Sequence, residues 1–201
     1  MAPTRGGKPP CVGKPVNLLA RFFTAVAMAK GEPFYIRAVV TSNGTTYAQS
    51  EIDLGSFVNL GVKSSTLLRL HSVQTSIRDG SFPGSISVDD AQACIAFQLT
   101  TQSQTAIVGY DDKSVVAAGH MQLYPGEQAS GDYKTSFATQ DYDMNPSDFT
   151  KGYLIGVDSL FLGVDQSVTL TSGNVDVGVI LECTLESATQ ASATALALSQ
   201  Q

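Results

Sequence analysis

The sequence predicts an all-β protein, an antiparallel sandwich, jelly roll or barrel, with an N-terminal helical arm. Three observations predict it. From Pro33 onward apolar residues recur with a period of two, turn residues punctuate some eight such runs, and no helical pattern separates one run from the next. With 201 residues the chain is long enough for one domain with a sizeable core and terminal arms. The expected division is an arm over 1–32, a β-body over 33–186 and a low-complexity tail over 187–201.

The arm contains the stretch ARFFTAVAMAK, residues 20–30, which resembles the end of a secretory signal with a cleavage site after Ala29. Its context argues for a retained helix. Pro9, Pro10 and Pro15 precede it and Arg21 interrupts its apolar core, which a signal does not tolerate. Pro15 suits a first helical turn, Lys30 the negative end, Gly31 a left-handed cap, and Pro33 stops the helix. Asn17, Arg21 and Thr24 form a narrow polar stripe on an otherwise apolar helix.

The first strand is expected at 34–41, ending in Ser42-Asn43-Gly44, a pair that favours a tight hairpin, with a returning strand at 45–54. The same turn accounts for Asn43-Gly44-Thr45, which also matches a glycosylation sequon. Further strands are expected at 65–77, 85–88, 93–101, 106–110 with 114–118, 120–124, 153–157 with 160–162, and 167–170. The clearest is the last, where Val175, Val177, Val179, Leu181, Cys183 and Leu185 alternate with Asp176, Gly178, Ile180, Glu182, Thr184 and Glu186. Twelve alternating residues make a long, half-buried strand. The Ala/Ser/Thr/Gln-rich segment after it is a tail or a short docking helix.

Charge is sparse and uneven. Charged residues are 15% of the chain, against about 25% in an average soluble domain. Residues 1–40 hold six basic side chains and one acid, net +5, so residues 41–201 hold six basic and seventeen acidic, net −11, which together give the −6 of the whole. A basic arm on an acidic body suits an arm that faces phosphates or an anionic membrane. No segment has the roughly 18 continuous apolar residues of a membrane-spanning helix. Cys11, Cys94 and Cys183 are odd in number and widely spaced, which argues against a disulfide framework or a cysteine zinc site and for buried free thiols.

No catalytic signature occurs: there is no Gly-x-Ser-x-Gly elbow, phosphate-binding Gly loop or His-Glu-x-x-His helix. His71 and His120 are the only histidines, too few for a cluster of imidazoles around a metal. Adjacent acids such as Asp89-Asp90 and Asp111-Asp112 point to opposite faces of a strand and read as turns, not as acid/base pairs. Asp141, Asp143, Asn145 and Asp148 have the spacing that opens a calcium loop. However, Pro146 stands where such a loop needs Gly, and Gly152 where it needs a bidentate Glu, so an acidic surface loop is expected and Ca2+ is the one cofactor it could take.

The arm 1–30, the strand train 34–185 and the phrases GYLIGVDSLFLGV and GNVDVGVILECTLESAT together resemble single jelly-roll capsid proteins of icosahedral viruses, in particular the capsomer subunits of tailless, membrane-containing viruses. The resemblance implies an eight-stranded jelly roll, a structural and non-enzymatic subunit of a virion, and copies of itself and other capsid proteins as partners. It places the arm on the inner surface, where Arg5, Lys8, Lys14 and Arg21 would meet genome nucleic acid or an internal membrane, and where Phe22, Phe23 and Val26 would pack under a neighbouring body. The competing reading is a secreted or surface β-sandwich binding module that makes calcium-assisted carbohydrate or adhesin contacts through 141–148.

Overall fold

A computed structural model describes residues 31–60, 64–80, 86, 92–125 and 137–201. Their elements in chain order are β1 (Phe34–Thr41), β2 (Ala48–Asp53), β3 (Ser64–Asp79), β4 (Ala93–Thr100), β5 (Val115–Tyr124), β6 (Phe137–Met144), a 3-10 turn at Pro146–Asp148, β7 (Tyr153–Ile155), β8 (Ser159–Gln166), β9 (Val175–Thr189) and α1 (Gln190–Ser199).

The strands form two antiparallel sheets ordered β1-β9-β3-β7 and β2-β8-β4-β5-β6. Chain neighbours in sequence alternate between sheets in the first half, and β8 and β9 return to lie beside β2 and β1. That double Greek key is a jelly roll, with β6 added to the outer edge of the second sheet. The period-two patterns dictate which faces meet: Val175, Val177, Val179, Leu181 and Cys183 of β9 are all buried, as are Ile95, Phe97 and Leu99 of β4 and Leu160, Leu162 and Val164 of β8. These side chains fill the space between the sheets, because each strand has a single apolar face and can hide it only against the other sheet.

Several expectations change in detail. Asn43-Gly44 does turn, with Gly44 at φ 57° and Asn43 bridged to Thr46, but no hairpin follows. β1 pairs with β9 and β2 with β8, so this turn carries the chain from one sheet to the other. The pieces expected at 114–118 and 120–124 are one strand, β5. Gly119 does not break it; a Cβ there would run into the Phe97 ring and the Asp141 carbonyl. Conversely, the pieces expected together at 153–157 and 160–162 fall in different sheets, the first in β7 and the second in β8. Residues 167–170 are a turn with an isolated Leu170–Gly173 bridge, and 106–110 lie in a loop. β9 runs to Thr189, and α1 follows directly, its first turn capped by the Thr189 hydroxyl accepting from Ser192 N–H. The arm helix, and all but Ile86 of the strand expected at 85–88, lie outside the described residues.

Both ends of the described chain sit at the same pole. β1 begins opposite Cys183 and β3 begins opposite Thr189, so residue 33 and helix α1 share the end of the sandwich that also holds the starts of β5 and β8.

Candidate functional site

With no catalytic cluster predicted, the informative surfaces are those where polar side chains are buried or where sheet edges meet solvent. β7 covers β3 only along Leu68–Leu70. Beyond that, the edge of β3 would present bare amides, and side chains from β6 and the turn after it close it. Asn145 accepts from the Val73 N–H through Oδ1 (3.2 Å) and donates Nδ2 to the Val73 carbonyl (2.9 Å), reproducing with one side chain the pair of bonds a neighbouring strand would make. The Tyr142 hydroxyl accepts from Thr75 N–H (2.9 Å), and Gln140 Nε2 donates to the Thr75 carbonyl (3.4 Å). The Tyr142 ring stands edge-on to the buried Phe97 at 5.8 Å, so this exposed residue touches the core while it serves the edge.

This assignment accounts for the four residues expected to open a calcium loop. Asp141 and Asp143 lie on β6, exposed, with Asp143 Oδ2 3.3 Å from His120 Nδ1. Asn145 is buried, and its Oδ1 is committed to Val73 and to Ser147 N–H (3.2 Å). Asp148 Oδ2 accepts from Asn145 N–H (3.1 Å), completing a capping box around the 3-10 turn. The four therefore stand on a strand and a capped turn instead of one loop, and among the described residues no group of three or more His, Cys, Asp or Glu is disposed to hold a metal ion.

The second sheet buries polar groups on its outer face. Gln98 of β4 is fully buried there; its Oε1 accepts from Val108 N–H (3.0 Å) and its Nε2 donates to the Ala106 carbonyl (3.2 Å) and the Tyr47 hydroxyl (3.3 Å). Gln98 thus pins the loop between β4 and β5 flat on the sheet. Tyr47 lies over Gly163, where a Cβ would collide with the phenol, and burial pushes the Tyr47 hydroxyl pKa up. At the end of that loop Asp112 Oδ1 accepts from Ser114 N–H (2.8 Å) and from its hydroxyl (2.7 Å), which holds its carboxyl below the usual range.

At the pole shared by the chain ends, Gln200 is a buried clamp. Its Oε1 accepts from Gly156 N–H (2.9 Å), its Nε2 donates to the Leu154 carbonyl (2.6 Å), and its own carbonyl accepts from the Thr101 hydroxyl (2.6 Å). Gly156 lets α1 approach, since a Cβ would meet Leu196 at 3.1 Å. The tail is therefore folded back on the sandwich, held by the Gln200 side chain and carbonyl and by the buried Ala193.

Ion pairs on the first sheet are local. Arg69 donates Nε and Nη2 to the two carboxylate oxygens of Glu186 and Nη1 to the Lys151 carbonyl (2.7 Å); the bond to Arg69 holds the Glu186 carboxyl below the ordinary carboxylate range. His71 sits at a bulge in β3 with Nε2 2.9 Å from the Thr184 hydroxyl. Cys183 is fully buried and burial pushes its thiol up to about 12, while Cys94 is half-buried and shifted in the same direction, again mainly by burial. Arg5, Lys8, Lys14, Arg21, Phe22, Phe23 and Val26, like Cys11, lie outside the described residues.

Asn145, Gln98 and Gln200 are the residues that sequence reasoning missed. Each is a polar side chain at a position that a period-two reading assigns to surface or tail, and the sequence carries no signal for which distant amide it will meet.

These elements define the class: a jelly-roll β-sandwich whose polar burial serves edges and ends. No protein-family model and no curated protein matches the chain. Among solved structures, VP1 of Merkel cell polyomavirus in complex with disialyllactose is similar at 10% identity, covering 80% of this chain and 98% of that one, with a TM-score of 0.40. Apo VP1 of New Jersey polyomavirus is similar at 7% identity over 79% of this chain and all of that one, TM-score 0.40. VP1 of trichodysplasia spinulosa-associated polyomavirus in complex with GM1 oligosaccharide is similar at 11% over 77% and 95%, TM-score 0.35. These are viral capsid proteins, and the likeness is a loose one of overall arrangement.

Proposed function

We propose that the chain is a structural, self-assembling capsid subunit of a virion, packing laterally with copies of itself and with the basic arm 1–32 on the inner surface. The observation that carries this reading is the strand order β1-β9-β3-β7 against β2-β8-β4-β5, a jelly roll whose two chain ends leave from one pole. That arrangement brings residue 33, where β1 begins, and helix α1 to one pole of the body. The small share of charged residues supports the same reading, since few charged side chains lose their solvation when neighbours cover them.

On this reading Arg5, Lys8, Lys14 and Arg21 neutralise phosphates of a genome or of lipid headgroups in a sequence-independent, salt-sensitive way, and Phe22, Phe23 and Val26 pack under an adjacent body. The test is particle imaging and mass measurement of the full-length protein beside a form lacking residues 1–30, at low and high salt. Regular particles or capsomers that require the arm are expected. A monomer under every condition overturns the reading and favours a secreted binding module.

A further inference from the structure

The two edges of the first sheet are finished differently. The β3 side is covered by β7 and by Asn145, Tyr142 and Gln140, whereas among the described residues no strand pairs with the outer edge of β1. β1 has eight residues, FYIRAVVT, with no lysine, proline or glycine and no bulge in its ladder, the devices that normally blunt an edge. Tyr35 is 56% and Val39 49% exposed, among the most exposed large apolar side chains of the described residues.

The ladder fixes which amides point outward. Ser42 N–H donates to the Val175 carbonyl (2.8 Å), and on the far side of β9 Gly80 N–H donates to the Asn174 carbonyl (3.1 Å). Hydrogen-bond direction alternates along an antiparallel strand, so Val40, Ala38 and Ile36 bond to β9 while Tyr35, Arg37, Val39 and Thr41 aim their N–H and C=O groups away from the sheet.

We infer that this edge is the pairing surface for a second copy of the chain, β1 lying antiparallel to its own counterpart across a two-fold axis at Ala38. Charge excludes one register, and the use of the outward amides selects among the rest. Arg37 is the only charged residue of β1, so a register centred on residue 37 would oppose two guanidinium groups, which is unfavourable for directly facing pairs. Centring on Ala38 sets Arg37 against Val39 and Tyr35 against Thr41, twice each, using every outward amide of the strand and joining two four-stranded sheets into one of eight. The contact is isologous, as a two-fold requires. It deepens the self-assembly reading by naming one subunit contact, and it stands or falls separately from shell formation.

The test uses full-length protein carrying Cys11→Ser. Ala38 would face its counterpart at a non-hydrogen-bonded position, with Cα atoms about 4.5 Å apart, within disulfide reach. Ala38→Cys is therefore expected to give, on mild oxidation, a covalent dimer of twice 21.1 kDa, while Ile36→Cys, which faces Val40 of the other copy, gives none. Val39→Pro removes an outward N–H and leaves the β9 bonds intact, so it is expected to abolish pairing while preserving the far-UV circular dichroism spectrum; Val39→Lys provides the same loss without a backbone change. No disulfide-linked dimer from Ala38→Cys, equal yields from positions 36 and 38, or unchanged association in both Val39 variants would overturn the inference. Regular particles without that covalent dimer would remove this contact and keep the shell; dimers without particles would do the reverse.

Discussion

Replacing Asn145 separates two roles that its side chain combines. Asn145→Ala removes the two bonds to Val73 and the cap on Ser147. At about 1 kcal/mol for each hydrogen bond, the expected loss is about 3 kcal/mol, more if the Val73 amide is left without water. For a chain of this size that corresponds to a fall in Tm of roughly 6–12 °C. The informative variant is Asn145→Asp. Aspartate caps a helical turn as well as asparagine does, so a residue that served only the turn would tolerate it. As an edge partner it fails, because a carboxylate cannot donate to the Val73 carbonyl and sets negative charge against it. A loss of about 2 kcal/mol at neutral pH is expected, from one missing bond and one unpaired carbonyl, and it shrinks in acid as the new carboxyl gains a proton and can donate again. Denaturant unfolding followed by tyrosine fluorescence and circular dichroism, on the two variants and on Asp148→Ala, measures this. If Asn145→Asp matches the wild type at pH 7, Asn145 is a cap and the account of the β3 edge is wrong.

Other expectations follow from the same contacts. Gly163→Ala drives a methyl into the Tyr47 phenol and should cost about 1–3 kcal/mol as an overpacked site, with faster amide exchange in residues 106–108 as Gln98 loses its cover; unchanged exchange there would refute the link. Gln200→Ala should release α1, seen as hydrogen exchange rising across Gln190–Ser199 while the core of β9 stays protected. Because Arg69 lowers the Glu186 pKa, that pair stabilises the fold above the unfolded carboxylate pKa of about 4.3, and its contribution is lost as pH falls through the depressed folded value. Glu186→Gln should therefore narrow its stability gap to the wild type in acid, and a constant gap would contradict this. Cys183, with its thiol pushed up to about 12, should resist alkylation at pH 8 until the protein unfolds, while Cys94 reacts measurably sooner.

Much of the fold was legible because one face of most strands is apolar. β9 declares itself through Val175 to Cys183, and β1 through the alternation after Pro33. β6 did not, for a physical reason. Its sandwich-side residues Gln140 and Tyr142 are polar because they bond to an edge, and its other face carries Asp141 and Asp143, so a run of acids reads as a loop. The Asn43-Gly44 turn was legible as a turn, but which sheet receives the strand after it depends on β8 and β9, more than a hundred residues later. Val168 and Leu170 gave the 167–170 segment a strand-like alternation, yet Leu170 is buried from a turn closed by Gly173 at φ 88°. The buried amides of Gln98, Asn145 and Gln200 were invisible, since a glutamine under a loop and one in water have the same letter.

The closed β3 edge has a consequence best put in terms of valence. A sheet with two open margins can add a neighbour at each and grow without limit, whereas one margin already saturated by Asn145 and Tyr142 leaves this sheet a single free bond. Pairing through β1 then stops after one step, two molecules exhausting each other. The asparagine on Val73 would act as a terminator for the growth of this sheet.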